Sequence, residues 1–150
     1  MSEATHAAAK RLGINVTWFP VYKPSEFPTA FEAIARQQAQ ALAAIPDNMI
    51  NVQAKAVADF AVGLGKPSIS GWAEFAEAGN LLSYGPSYRG YYRHFSAYAD
   101  KILKGARPAD LPIERPTVLE FVVNLKTAKH LAIKIPPSVL VRADRVIEYL

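Results

Sequence analysis

Apolar and polar positions switch repeatedly between two rhythms along the chain, and the switches predict its elements. Residues 2–13 are polar and alanine-rich, with Ser2 as N-cap and Gly13 as the stop, and predict a helix. Ile14-Asn-Val-Thr-Trp-Phe19 is short, β-branched and aromatic, which predicts a strand. After the Pro20–Pro24 loop, Ser25 is placed to cap a helix carrying Phe27, Phe31, Ile34 and Ala35 at helical spacing. Pro28 lies in the first turn of that helix, where its missing N–H does no harm. Ala41–Ile45 is an apolar run without alternation, the pattern of a strand covered on both faces. Pro46-Asp47-Asn48 supplies turn and capping chemistry. It leads into a helix carrying Ile50, Val57, Phe60, Ala61 and Leu64, stopped at Gly65.

Pro67–Ser70, Leu81–Tyr84 and Thr117–Asn124 predict three more strands. Trp72–Ala78, Ser87–Leu103, Lys126–Leu131 and a last segment from Pro136 through Tyr149 predict helices. Arg107–Pro116 holds three prolines and reads as an extended crossing segment. Strands that alternate with helices imply βαβ units: an α/β fold with an open, mostly parallel sheet flanked by helices. The expected organisation is an α/β lobe core over 1–85, a helix and crossing segment over 86–116, and a final strand with C-terminal helices over 117–150. In such sheets ligands sit outside the carboxyl ends of the strands. Here those ends are Phe19, Asp47-Asn48, Ser70-Gly71-Trp72 and Tyr84-Gly85.

Composition narrows the picture. The chain has 150 residues and no cysteine, which excludes disulfides and thiolate metal sites without fixing a compartment. No apolar run approaches the ~20 residues of a membrane helix. The N-terminus has no charged start followed by an apolar stretch and does not read as a signal peptide. The net charge of +4 is uneven, −1 over residues 1–85 (six Lys/Arg, seven Asp/Glu) and +5 over 86–150 (eleven and six). The basic residues stand singly, as at Arg89, Arg93, Lys101, Lys104 and Arg107, which fits a solvated helix face better than a nucleic-acid footprint.

Catalytic and cofactor motifs are missing. Gly63-Leu-Gly65-Lys66-Pro67-Ser68 resembles a phosphate loop, but that motif needs glycine where Phe60 stands and Ser or Thr at Pro67. There is no dinucleotide fingerprint, nucleophile elbow or zinc-protease signature, so no cofactor is expected. His6, His94 and His130 fall in three different elements, without metal-ligand spacing. Asp47 and Glu74 follow neighbouring strands, and Asp47 fits either helix capping or ligand contact. An acid–base role would need close carboxylates with separated pKa values. Tyr88, Tyr91, Tyr92, Phe95, Tyr98 and Ile102 form a helical stripe that must pack against some surface.

Several fixed-spacing segments point to one family. They are E-F-x-x-x-G at Glu74–Gly79, SYG at Ser83–Gly85 and Y-x-D-K-I-L-K-G-A at Tyr98–Ala106. Others are P-A-D-L-P at Pro108–Pro112, V-N-L-K-T-A-K at Val123–Lys129 and I-P-P-S at Ile135–Ser138. Together they resemble the ABC-transporter substrate-binding protein family of the tryptophan/tyrosine transport type, over about half of the chain, with a looser fit before residue 71. The resemblance implies a type I periplasmic-binding-protein fold, two α/β lobes joined by crossings with an amino-acid-like ligand in the cleft. It also implies delivery to an ABC permease, no catalysis, and a periplasmic or extracytoplasmic home. The chain resembles the C-terminal lobe plus crossing segments, and Asn80 stands where the family usually has a second glycine. Without a signal peptide, a chain complete as it stands would be cytoplasmic.

From strand-end position, Asp47, Asn48, Ser70, Trp72, Glu74 and Tyr84 are expected to line one wall. Asp47 or Glu74 would pair with a ligand ammonium, and Trp72 or Tyr84 would cover an apolar or aromatic side chain. The aromatic stripe, Tyr88, Tyr91, Tyr92, Phe95 and Tyr98, would pack on a first lobe or else hold a homodimer together with the Val118–Asn124 strand. The alternative is an interaction or dimerisation domain that binds no ligand. A small α/β enzyme using Asp47 or Glu74 is the third reading, and no nucleophile–base constellation supports it.

Overall fold

The computed structural model describes residues 3–116 and 118–148; the expected cap Ser2, the strand start Thr117 and the helix end Tyr149 lie outside them. The chain divides into two units, Met1–Gln38 and Ala39–Leu150.

In the first unit, α1 spans Glu3–Leu12 and α2 spans Phe27–Arg36. A single 3-10 turn, Pro24–Glu26, leads into α2, so Glu26 stands at the N-cap position expected of Ser25. The chain is pinned there instead by the Tyr22 N–H, which donates to the Glu26 carboxylate at 2.8 Å. Phe27 and Phe31 meet edge to face at 5.7 Å. Residues 14–19 form no strand, contrary to the sequence expectation. Strand propensity measures fit to neighbouring strands, and among the described residues none pairs with this segment.

The second unit is built on a five-stranded sheet. The strands are β1 (Leu42–Ala43), β2 (Ser68–Ser70), β3 (Leu82–Pro86), β4 (Leu119–Asn124) and β5 (Arg145–Ile147), in that spatial order. All pairings are parallel except β3–β4, which is antiparallel with Ser83 opposite Val122 and Tyr84 opposite Phe121. The helices are α3 (Asn48–Val52), α4 (Ala54–Gly63), α5 (Ala73–Glu77), α6 (Tyr88–Leu103), α7 (Leu125–His130) and α8 (Pro137–Leu140). This is the expected α/β architecture with a mostly parallel sheet, with three differences in detail.

First, the helix expected from Asn48 to Leu64 kinks at Gln53, whose N–H is shared between the Met49 and Ile50 carbonyls. Second, the long final helix is replaced by one turn, α8, and by β5. Tertiary partners decide this. The Asp144 carboxylate accepts the Phe121 N–H at 2.8 Å while the Asp144 N–H donates to the Phe121 carbonyl at 2.9 Å. Arg145 reaches Glu77 at 2.6 Å and Glu120 at 3.8 Å. Third, β1 is a two-residue edge strand of alternating exposure rather than a strand covered on both faces.

Strand register sorts the sheet into two faces. Ser68, Ser70, Ser83 and Val122 share one face and are buried. Helix α5 covers this face with Phe75 and Ala76, both fully buried, and α4 adds Ala54, Val57, Ala58 and Ala61. On the other face Ile69, Tyr84 and Leu119 remain exposed within this unit. The short helix α5 lies directly over the serine-rich stretch of this face, and of its three buried serines Ser68 finds a hydrogen-bond partner, Asn80.

Asn80 organises that covered face. Its side-chain oxygen accepts from the Ser68 hydroxyl at 2.6 Å. Its amide donates to the Ala54 carbonyl at 3.2 Å and the Phe75 carbonyl at 3.0 Å. One fully buried side chain thus ties β2, α4 and α5 together. Asn124 does a similar job at the far end. Its oxygen caps α7 by accepting the Thr127 N–H at 3.1 Å, and its amide donates to Ala76 at 2.8 Å.

Candidate functional site

The carboxyl ends of β1, β2 and β3 come together because their loops stack. A Cβ on Gly71 would run into the Pro46 ring, and a Cβ on Gly85 would lie inside the contact distance of the Gly71 carbonyl oxygen. Only hydrogen side chains at 71 and 85 permit this approach. The stack brings the residues just beyond it, Asn48, Trp72 and Pro86, to one depression of about 460 Å³. Its other wall is the first half of α6, with Tyr88, Tyr91, Tyr92 and Phe95, and Pro116 from the crossing segment.

Local chemistry sets each element. Ser87 caps α6 by accepting the Gly90 N–H at 3.3 Å, so the chain leaves β3 and enters α6 at once. That short passage holds Tyr88 over Trp72, edge to face at 5.1 Å. Tyr88 also meets Tyr92 at 5.0 Å, and Tyr91 meets Phe95 at 4.5 Å. The Tyr92 hydroxyl donates to the Tyr88 hydroxyl at 3.4 Å. That hydrogen bond, then desolvation, then the neighbouring charges of Tyr92 and Glu74 push the Tyr88 phenol above its usual range.

The six residues expected at the wall take different places. Asn48 and Trp72 line the depression. Asp47 is an N-cap, its carboxylate accepting the Met49 N–H at 2.8 Å. Ser70 lies beneath α5, and its hydroxyl, like that of Ser83 opposite it, is buried without a hydrogen-bond partner. Glu74 does not line the depression; it stands in the first turn of α5, with one carboxylate oxygen buried and unpartnered and its charge felt at Tyr88. Tyr84 is mid-strand on the exposed face, 6.0 Å from the Phe121 ring, and does not line the depression. Sequence reasoning missed Pro86, Tyr88, Tyr91, Tyr92, Phe95 and Pro116 as lining residues, having assigned the stripe to packing. The available signal was Ser87, whose capping fixes the start of α6 next to a strand end.

A second, longer apolar groove of about 510 Å³ follows the other side of α6. It is bounded by the crossing segment, which the Tyr98 hydroxyl holds by donating to the Pro112 carbonyl at 2.6 Å. Desolvation and the Glu114 carboxylate raise the Tyr98 pKa. His94 meets Glu114 at 3.4 Å across the same groove. Among the described residues no group of His, Asp or Glu side chains could hold a metal ion, and no helix is long and apolar enough to cross a membrane.

A family model described as ABC transporter substrate binding protein matches residues 1–147. Among solved structures, the chain is similar to an ABC domain in complex with L-Trp from Streptococcus pneumonia. The identity is 28%, with TM-score 0.89 over 97% of this chain and 49% of that one. A conserved domain protein from Vibrio cholerae O1 biovar El Tor strain N16961 is 25% identical, with TM-score 0.88 over 96% of this chain and 48% of that one. A ligand-free, open substrate binding protein with adhesive properties from Clostridium difficile shares the fold at 20% identity. Its TM-score is 0.67 over 98% of this chain and 49% of that one. The chain therefore spans about half the length of the solved structures it matches. No curated protein matches it.

Proposed function

The chain belongs to the ABC transporter substrate binding protein family, and from that premise we propose that the depression at Asn48, Trp72 and Tyr88 is one wall of a cleft for an amino-acid-like ligand, held without chemistry and delivered to an ABC permease on the extracytoplasmic side. The observation that carries this reading is Glu74. A carboxylate oxygen that is buried and unpartnered, in a group whose charge is felt at Tyr88 of the depression wall, is expensive unless a donor arrives to meet it. A primary ammonium supplies that donor. The faces of Trp72 and Tyr88 add cation–π attraction or cover an aromatic side chain. Asp47 is already committed to its cap, so the two carboxylates divide the roles that position alone left open: Glu74 for the ligand, Asp47 for the fold. The L-Trp bound to the Streptococcus pneumonia domain makes L-tryptophan the probe of choice.

One wall covers about half of a small ligand, so this chain alone is expected to bind at millimolar rather than micromolar concentration. Replacing Glu74 by glutamine keeps the shape and removes the charge. By isothermal titration it is expected to weaken L-tryptophan about tenfold or more, the worth of a hydrogen bond to a charged group. Asp47→Asn keeps a good N-cap and should leave that affinity unchanged. Equal loss in both variants, or no loss in Glu74→Gln, contradicts the assignment.

A second reading, an interaction or dimerisation domain that binds no ligand, is favoured by α6, a 16-residue helix with no buried residue. It predicts self-association through Tyr88, Tyr91, Tyr92, Phe95 and Tyr98, and no heat on titration with amino acids.

A further inference from the structure

We propose that the crossing segment is a strap pinned along α6 by Tyr98, His94 and Glu114, and that these three residues position Pro116 as part of the small depression's wall without touching the ligand themselves. This inference rests on the depression at Asn48, Trp72 and Tyr88 being a ligand wall.

The contacts between strap and helix keep one register. The Tyr98 hydroxyl donates to the Pro112 carbonyl at 2.6 Å. The His94 Nδ1 meets the Glu114 carboxylate at 3.4 Å, and the Ser87 N–H donates to the Val118 carbonyl at 3.3 Å. As the strap advances from 112 to 118, its partners step back along the helix from 98 to 87, so the two run antiparallel. That stretch of helix rises ~16 Å, and the strap residues can reach at most ~20 Å. The strap therefore runs nearly extended between its outer pins. Its prolines suit this, since each fixes its own φ and keeps the residue before it extended, as at Leu111 with φ −84° and ψ 136°. Behind the first pin a tight turn anchors the strap, with the Arg107 guanidinium donating to the Asp110 carboxylate at 2.8 and 3.0 Å. Glu114 serves two pins. It pairs with His94, and after desolvation its charge raises the Tyr98 phenol.

What the strap holds is Pro116. Tyr91, Phe95 and Pro116 line both the depression and the long groove, so the two rings and the proline form the partition between them. The rings are set by their helix and by their own contact at 4.5 Å. Pro116 has no N–H to donate, so its place is set by the residues on either side of it. Tyr98, His94 and Glu114 line the long groove and not the depression. Releasing a pin gives the strap slack, and Pro116 can leave the rings. The depression then opens into the groove, and a ligand there loses part of its cover to water. All of these contacts lie between residues 87 and 118 and need no other part of the chain.

Tyr98→Phe keeps the ring and removes only the hydroxyl. His94→Leu removes the donor facing Glu114, and His94→Asn keeps one near the place of Nδ1. Limited cleavage of the whole chain by a glutamate-specific protease reads the strap without ligand. Isothermal titration with L-tryptophan reads the wall. Tyr98→Phe and His94→Leu are expected to be cut about fivefold faster at Glu114, with cleavage at the other glutamates unchanged. Both are expected to bind L-tryptophan about threefold more weakly, and His94→Asn to match the parent in both measurements. Unchanged cleavage at Glu114 overturns the pins. Faster cleavage there with parental affinity for L-tryptophan overturns the positioning role and leaves the ligand wall standing. Faster cleavage at every glutamate alike marks a general loss of stability and overturns the inference too. A parent chain that binds no L-tryptophan removes the ligand reading and the positioning role with it, while the cleavage pattern still decides whether the strap is pinned.

Discussion

Gly85→Ala is expected to destabilise the chain by about 3 kcal/mol or more, a drop of about 6–12 °C in melting temperature. The added methyl would stand against the backbone of Gly71, 2.8 Å from its carbonyl carbon and 3.0 Å from its Cα. A flexible side chain could step aside, but this is the strand-to-loop passage of β2. It is itself backed by Pro46, which a Cβ at position 71 would strike. Relief therefore requires β3 to part from β2 near their carboxyl ends, where Ser70 pairs with Ser83. The same movement separates Trp72 from Tyr88, which now touch at 5.1 Å. The variant should lose L-tryptophan binding even at temperatures where it remains folded. Thermal unfolding followed by circular dichroism, with titration of the folded variant, measures both effects.

Asn80→Ala is expected to cost about 4 kcal/mol, lowering the melting temperature by about 8–16 °C. The side chain is fully buried and makes three hydrogen bonds, to the Ser68 hydroxyl and to the Ala54 and Phe75 carbonyls. Truncation removes the side-chain partner of the Ser68 hydroxyl and the Ala54 carbonyl in a region closed to water, each at a cost of about 1–3 kcal/mol, while the Phe75 carbonyl keeps the backbone N–H of residue 80 at 3.0 Å. Asn80→Asp should fare no better. A carboxylate still accepts from Ser68 but turns negative oxygen toward two carbonyls. Glycine at this position would likewise leave the Ser68 hydroxyl and the Ala54 carbonyl without their side-chain partner. Asn80 is thus part of how this particular core was completed. Chemical denaturation should show a lower midpoint at unchanged slope, since the surface exposed on unfolding is the same.

Sequence alone exposes those features whose cause is local. Asp47 caps α3 and Ser87 caps α6 because a capping oxygen needs only the N–H two or three residues ahead. The alternation of β2, α5, β3 and α6 follows from apolar period and glycine punctuation over the segment from Ser68 to Leu103. Features whose cause is a distant partner stay hidden. Residues 14–19 have strand composition and no ladder, whereas Arg145–Ile147 form a strand because Glu77, Glu120 and Phe121 receive them. The same divide separates the residues around the depression. That Asn48 and Trp72 reach it was readable from strand-end position. The place of Tyr88, Tyr91 and Tyr92 in its other wall was not, because helical spacing says which residues share a face and not what that face meets. That Glu74 rather than Asp47 keeps an unanswered oxygen depends on burial, which no motif records.

If the carboxyl ends of β1, β2 and β3, with the start of α6, hold an amino-acid-like ligand, a two-dimensional ¹H–¹⁵N titration of the labelled chain with L-tryptophan, up to about 10 mM, will show saturable shifts at the amides of Asn48, Trp72, Glu74, Tyr88 and Tyr91 and at the Trp72 indole N–H. Those shifts are expected to be absent in Glu74→Gln at the same concentrations. Shifts confined to other parts of the chain, or none across that range, would contradict that reading.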